Sequence, residues 1–155
     1  MFDSIKTLIS DVAGHAAPRT QCDGQNARLA TAALLTRVAT VYREMSFARR
    51  KMLHTVLKSG FALDDGGTDR LIDEAAAVDR VAIDLYHFTR QLNEVLDDDG
   101  RHRTVRMMWE LVYADGNPND FESNIIWRAA DLLGVSSRKR VELRQQIAAH
   151  TRCLS

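Results

Sequence analysis

The sequence predicts an all-α protein: a single compact bundle of about seven or eight helices with a pseudo-twofold repeat of helical hairpins. Apolar residues recur at three- and four-residue spacing along nearly the whole chain, which is typical of amphipathic helices. No segment alternates apolar and polar residues for long enough to form a strand. A chain of 155 residues can bury one hydrophobic core but not two comfortable ones. We therefore expect one domain over residues 1–155.

Residues 1–25 are predicted to form a short helix followed by a loop. The helix has an apolar face made by Phe2, Ile5, Leu8, Ile9 and Val12. The stretch "HAAPRTQCDGQN" contains Pro18 and Gly24, which favour a loop, and it ends at the candidate N-cap Asn26. No basic head precedes an apolar block here, so the sequence does not predict a secretory signal.

Residues 27–63 are predicted to form the first helical hairpin. Its first helix runs from about 27 to 42, and Ser46 is the expected N-cap of its second helix, which Gly60 ends. The following "DDGGT" is predicted to be a turn.

Residues 67–96 are predicted to form acidic middle helices. Their apolar residues keep helical spacing for longer than most globular helices run, so we expect a break near Asp79. The "DDDG" of residues 97–100 then separates them from the next helix.

Residues 101–150 are predicted to form the second hairpin and a C-terminal helix. The hairpin's helices are joined by "YADGNPNDFES", residues 113–123, and Gly134 is expected to end the second one in the left-handed conformation. Ser136 is the expected N-cap of a last helix over about 137–150.

The charge is neutral overall but segregated along the chain. Residues 64–100 carry three basic and eleven acidic residues, whereas each flank is net basic. No basic stripe with interleaved aromatic residues is present, so nucleic acid is not expected as a partner. No apolar run reaches the roughly 20 residues of a transmembrane helix, and a cytoplasmic location is the default. The acidic block is either a solvated helical face or a docking surface for a basic protein partner, centred on Asp69, Asp73 and Glu74.

The link "YADGNPNDFES" has two interpretations. The side-chain oxygens of Asp115, Asn117, Asp120 and Glu122 could supply part of the coordination shell of Ca²⁺ or Mg²⁺. Both ions prefer oxygen ligands. The spacing does not fit an EF-hand. Alternatively, Asn119 as N-cap and Glu122 three residues later could form a capping box that only begins a helix.

The two hairpins show a weak internal duplication. "VATVYREMSFARRKMLHTVLKSGFAL" and "LVYADGNPNDFESNIIWRAADLLGV" share the order helix, polar link, helix and glycine-containing stop, at an offset of about 73 residues. The offset predicts that residues 42–49 and residues 115–122 meet near a pseudo-twofold axis.

The segments "DLYHFTRQLNEVL" and "WELVYADGNPNDFESNIIWRAADLLGVS" resemble the TerB-like tellurite-resistance family over residues 28–146. The resemblance implies a compact all-helical cytoplasmic protein with an acidic cation site and with protein partners. The family's Ala-Asp-Gly link and the Glu seven residues after the Asp fall on Asp115 and Glu122. In the first half of the chain, Tyr42, Arg43 and Arg49 stand where the same motif would place Asp, Gly and Glu.

These departures add a third interpretation, in which Arg43 or Arg49 pairs with Asp115 or Glu122 and an internal cation replaces the metal ion. Two function classes follow. One is a non-enzymatic stress-response protein that binds a divalent cation weakly and acts through partners. The other is a metal-free helical adaptor that uses the acidic face and exposed aromatics such as Tyr86 and Trp109. We expect no enzyme, because no nucleophile stands beside a base and no phosphate-binding loop is present. The oligomeric state is left open.

Overall fold

The computed structural model describes residues 16–41, 44–79 and 85–154, and over these ranges it contains helices and no strand, which confirms the all-α class. The seven helices of the described ranges are α1 (Ala16–Thr40), α2 (Phe47–Gly60), α3 (Asp65–Asp79), α4 (Leu85–Val95), α5 (Asp98–Val112), α6 (Asp120–Leu132) and α7 (Ser137–Leu154). The predicted helix near the N-terminus lies outside the described residues. None of the described helices is both long and apolar enough to cross a membrane.

Helix α1 is the central element of the core. It packs against five other helices, α2 to α6, and its buried face includes Leu34, Leu35 and Val38, all with no exposed surface. The second central element is α5, which packs against α1, α2, α6 and α7. Because α1 is surrounded by other helices, apolar residues lie on most of its sides.

The predicted duplication is present and includes a third helix in each half. The first helix of each half packs against the third, α1 on α3 and α5 on α7, and each first helix also contacts the second helix of the other half. Buried positions repeat at the same offset of about 73, as in the pairs Thr31 and Thr104, Leu35 and Met108, Val38 and Leu111, Leu53 and Ile126, and Leu57 and Ala130. The two halves are thus related by a pseudo-twofold axis, and α4 stands outside the repeat.

The predicted helix ends at three positions are confirmed. The Ser46 hydroxyl accepts a hydrogen bond from the Arg49 backbone amide (3.1 Å) at the start of α2. Asn119 and Glu122 form a reciprocal capping box at the start of α6. Gly134 follows α6 with a φ of 75°, a conformation that glycine adopts without strain. The N-caps of α2 and α6 are therefore equivalent positions of the repeat.

Three segments predicted to be irregular instead belong to the beginnings of helices. Helix α1 already begins at Ala16, so the loop prediction over "HAAPRTQCDGQN" and the N-cap prediction for Asn26 are wrong. Pro18 is the third residue of α1, where the helix needs no backbone N–H from it. Asp64 and Asp97 accept hydrogen bonds from the backbone amides of Gly67 (2.7 Å) and Gly100 (2.9 Å), so "DDGGT" and "DDDG" begin α3 and α5.

Candidate functional site

A buried arginine connects the two halves of the molecule at the pseudo-twofold axis. The Arg49 side chain has no exposed surface, and its Nη2 lies 2.6 Å from Oε2 of Glu122, which is equally buried. Its Nε donates a hydrogen bond to Oδ1 of Asp115 at 3.2 Å. Arg49 thus binds both acidic positions of the second link with one guanidinium group.

The third guanidinium nitrogen binds the end of α1. Nη1 of Arg49 donates to the backbone carbonyl of Ala39 at 2.9 Å. Ala39 lies in the last turn of α1, where carbonyl groups have no partner within the helix and where a positive charge is favoured by the helix dipole. Arg49 therefore satisfies a helix end as well as two carboxylates.

The remaining carboxylate oxygens also have partners. Oδ2 of Asp115 accepts a hydrogen bond from the Ser46 hydroxyl at 2.7 Å, and Oε1 of Glu122 accepts one from the Asn119 backbone amide at 3.1 Å. A buried ion pair is tolerated only when its lone pairs and protons are satisfied in this way. In the cluster of Ser46, Arg49, Asp115 and Glu122, called the arginine cluster below, three of the four carboxylate oxygens accept such hydrogen bonds, and the fourth, Oε2 of Glu122, is paired with Nη2 of Arg49 by charge.

The arginine cluster follows the symmetry of the repeat. Ser46 and Asn119 are the N-caps of equivalent helices, and Arg49 and Glu122 are the third residues of those helices. The two equivalent side chains meet each other across the axis with opposite charges. Arg43, the other arginine proposed for this role, lies outside the described residues.

The other two oxygen donors predicted from the link lie at the surface. Asn117 is exposed in the link, and Asp120 is exposed at the first position of α6, where its charge suits the helix dipole. Within the described ranges, no group of three or more His, Cys, Asp or Glu side chains is arranged to hold a metal ion. Of the four predicted ligands, the structure brings Asp115 and Glu122 together, and it does so around Arg49. Metal binding stays a prediction.

The acidic residues Asp69, Asp73 and Glu74 are all exposed on α3. Asp69 and Asp73 line a shallow depression with Phe47, whose side chain is 80% exposed, and with the basic residues of α2. The surface therefore combines acidic, basic and aromatic groups, and the interaction role of the three acidic residues stays a prediction.

Basic residues of α2 pair with the start of α3. Nζ of Lys58 lies 2.7 Å from Oδ1 of Asp65, and Nε2 of His54 lies 3.3 Å from Oδ1 of Asp69. The hydrogen bond between Lys58 and Asp65 lowers the pKa of Asp65 and raises the pKa of Lys58. Part of the acidic block is thus paired with its basic flank inside the molecule.

The two aromatic residues predicted to be exposed differ. Tyr86 is exposed on α4, but Trp109 is fully buried in α5, so its prediction as an interaction residue is wrong. Its ring lies 6.3 Å from that of Tyr113, and the Arg144 guanidinium stacks over it at 4.8 Å. Trp109 lies on the face of α5 that carries Val105 and Met108, and its helical spacing with them is the signal that indicates burial.

Sequence reasoning did not identify two partners of the arginine cluster. The capping role of Ser46 is readable from its position, but its hydrogen bond to Asp115 joins residues 69 positions apart. The Ala39 carbonyl is a backbone group, which no residue pattern can mark. Only the offset of the repeat could have suggested that these groups meet.

Comparison with known proteins identifies the family of the chain. A family model described as tellurite resistance protein TerB matches residues 28–145, which include both links and the whole arginine cluster. Searches of curated proteins and of solved structures return no match. Because the matched region is well over half of the sequence, the chain belongs to the TerB family of tellurite resistance proteins.

Proposed function

We propose that this TerB-family chain is a non-enzymatic helical adaptor that works without a metal ion, because the Arg49 guanidinium takes the position of a cation between Asp115 and Glu122. The observation that supports this proposal is the contact of the buried Arg49 guanidinium with the buried carboxylate of Glu122 and with the partly exposed carboxylate of Asp115. These carboxylates fall on the family's acidic motif, and the first-half Glu of that motif is replaced by Arg49 itself.

Electrostatics argue against adding a divalent ion to the arginine cluster. Ca²⁺ requires six to eight oxygen ligands, whereas the oxygens of Asp115 and Glu122 already accept bonds from Arg49, Ser46 and Asn119. An arginine does not lose its proton in proteins. A metal ion would therefore have to displace the guanidinium and leave the Ala39 carbonyl without its hydrogen bond.

The alternative function is a stress-response protein that binds Ca²⁺ or Mg²⁺ weakly. The intact Ala-Asp-Gly link and the exposed oxygens of Asn117 and Asp120 near Asp115 favour it. In that case the ion would bind mainly at the surface and water would complete its coordination shell, which suits Mg²⁺ better than Ca²⁺.

Thermal unfolding with added ions distinguishes the two functions. For the unmodified chain stripped with a chelator, we expect the same melting temperature with and without millimolar Ca²⁺, Mg²⁺ or Zn²⁺, because no ion binds the native state selectively. As a matched variant, Tyr42→Asp/Arg43→Gly/Arg49→Glu restores the family motif in the first link. We expect Ca²⁺ or Mg²⁺ to raise the melting temperature of this variant. Stabilisation of the unmodified chain by any of the three ions would support the metal-binding alternative instead.

The adaptor would act in the cytoplasm under chemical stress and bind a basic protein partner through the exposed acidic residues of α3. We expect Asp73→Lys/Glu74→Lys to abolish capture of proteins that the unmodified chain retains from lysate of its own cells. The matched control is Asp98→Lys/Asp99→Lys, which reverses two exposed charges on α5. The capture should also weaken with added salt, since exposed charges are screened. Equal loss in both variants would exclude a specific role of α3.

A further inference from the structure

A groove of about 710 Å³ lies between α2, α5 and α7, and it is lined by residues other than those of the arginine cluster. Its apolar lining comes from residues at helical spacing on the three helices: Met52, Val56, Met107 and Ile147. Two of the four are methionines, whose flexible side chains adapt to different apolar ligands. The volume falls in the range of small-molecule sites in proteins.

The groove is formed by a close approach of α2 and α5. A Cβ atom added to Gly60 would lie 2.6 Å from the terminal methyl of Met107, so this methyl group packs directly against the glycine backbone. The stretch of α5 that lines the groove runs from Arg103 to Glu110, a length of about 10 Å at the rise of an α-helix, and the lining continues to Tyr113 and Ala114 just after the helix. The groove is therefore preformed and elongated.

The charged groups at the groove are mainly basic. Arg103, Arg106 and His150 line it together with a single acidic residue, Glu110. Both arginines are exposed, and neither forms a hydrogen bond or an ion pair with the part of the chain that the structure describes. Burial raises the pKa of Glu110, and the charges of Arg106 and His150 oppose that shift. Two guanidinium groups are thus available to an anion at the edge of an apolar surface.

We propose that this groove binds a small amphipathic organic anion, with an acyl or aryl body on the methionine floor and a carboxylate or similar head beside Arg103 and Arg106. The apolar body would be driven onto the floor by burial of its surface, and the head would be oriented by the guanidinium groups, whose planar fork matches a carboxylate. The elongated shape favours a single chain over a compact ring system. This proposal is independent of the adaptor function.

Calorimetric titration with three probes of the same chain length tests the proposal: decanoate, decylammonium and decanol, each below its aggregation concentration. We expect decanoate to bind most tightly and decylammonium most weakly. The variant Arg103→Gln/Arg106→Gln should weaken decanoate binding roughly five- to tenfold, since each partly exposed charge contributes modestly, and should leave decanol unchanged. The matched control, Arg90→Gln/Arg128→Gln, removes two exposed arginines outside the groove and should have no effect.

Glu110 supplies a test that does not depend on the arginines. Because Glu110 is the one acidic side chain that lines the groove, we expect Glu110→Gln to tighten decanoate binding at neutral pH.

Three results would overturn the proposal. They are equal binding of decanoate and decylammonium, the same loss of decanoate binding in the control variant as in the groove variant, and no binding of decanoate up to its solubility limit. Melting temperatures of all variants exclude unfolding as the cause of a loss.

Discussion

Replacing Arg49 by methionine is expected to lower the free energy of unfolding by about 3–5 kcal/mol, the typical cost of leaving a buried charge without its partner. Methionine nearly fills the volume of the arginine stem, so the loss comes from charge rather than from a cavity. Glu122, with no exposed surface, would lose the guanidinium 2.6 Å away. Asp115 is partly exposed and keeps the hydrogen bond from the Ser46 hydroxyl, so it would contribute less to the loss of stability.

Urea denaturation of two further variants identifies the cause of this loss. Arg50→Met changes the neighbouring exposed arginine and should stay within about 0.5 kcal/mol of the unmodified chain. Arg49→Met/Glu122→Gln removes both buried charges but keeps an acceptor for the Asn119 amide, so it should recover most of the stability. If Arg49→Met cost no more than Arg50→Met, the arginine cluster would have no role in holding the halves together.

Replacing Trp109 by alanine is expected to cost about 3–5 kcal/mol, because it deletes a large and fully buried side chain and leaves a cavity between α5 and α7. The change also removes the ring over which Arg144 stacks at 4.8 Å. The same denaturation experiment should show little change for Tyr86→Ala, since Tyr86 is 56% exposed. A small loss for Trp109→Ala would contradict the packing described for α5.

Several features of the fold could be predicted from the sequence because they depend on local chemistry. An N-cap needs only a side chain that reaches the amide three residues later, which is why Ser46 and Asn119 could be identified without coordinates. Gly134 could be identified for a similar reason, since a left-handed residue after a helix is usually glycine. The helical periodicity of the apolar residues was sufficient for the all-α class.

The beginnings of α1, α3 and α5 could not be separated from loops by the same reasoning. Asp, Gly and Pro are favoured in turns, but the first turn of a helix also accepts them because its amide groups have no partners within the helix. Asp64 and Asp97 show the ambiguity: each could end an irregular segment, and each instead caps a helix. Packing of the later turns determines the outcome, and packing is not local.

The candidate site was only partly predictable for a similar reason. The offset of the repeat placed residues 42–49 opposite residues 115–122, but it could not choose between Arg43 and Arg49 as the partner of Glu122. The structure shows Arg49 in contact, and its third bond to the Ala39 carbonyl depends on where α1 ends. The groove between α2, α5 and α7 was not predicted at all. Its lining combines buried and exposed residues from three separate helices, and no single stretch of the sequence contains them.

The opposite charges of Arg49 and Glu122 make the two halves of the molecule non-interchangeable. Separate fragments of the chain would have a reason to associate as a mixed pair, since arginine would meet glutamate at their shared boundary. Two copies of the second fragment would instead bring glutamate against glutamate in an apolar surrounding, and two copies of the first would oppose two arginines. The opposite charges at this one pair of equivalent positions therefore favour association of the two different halves over association of two identical halves.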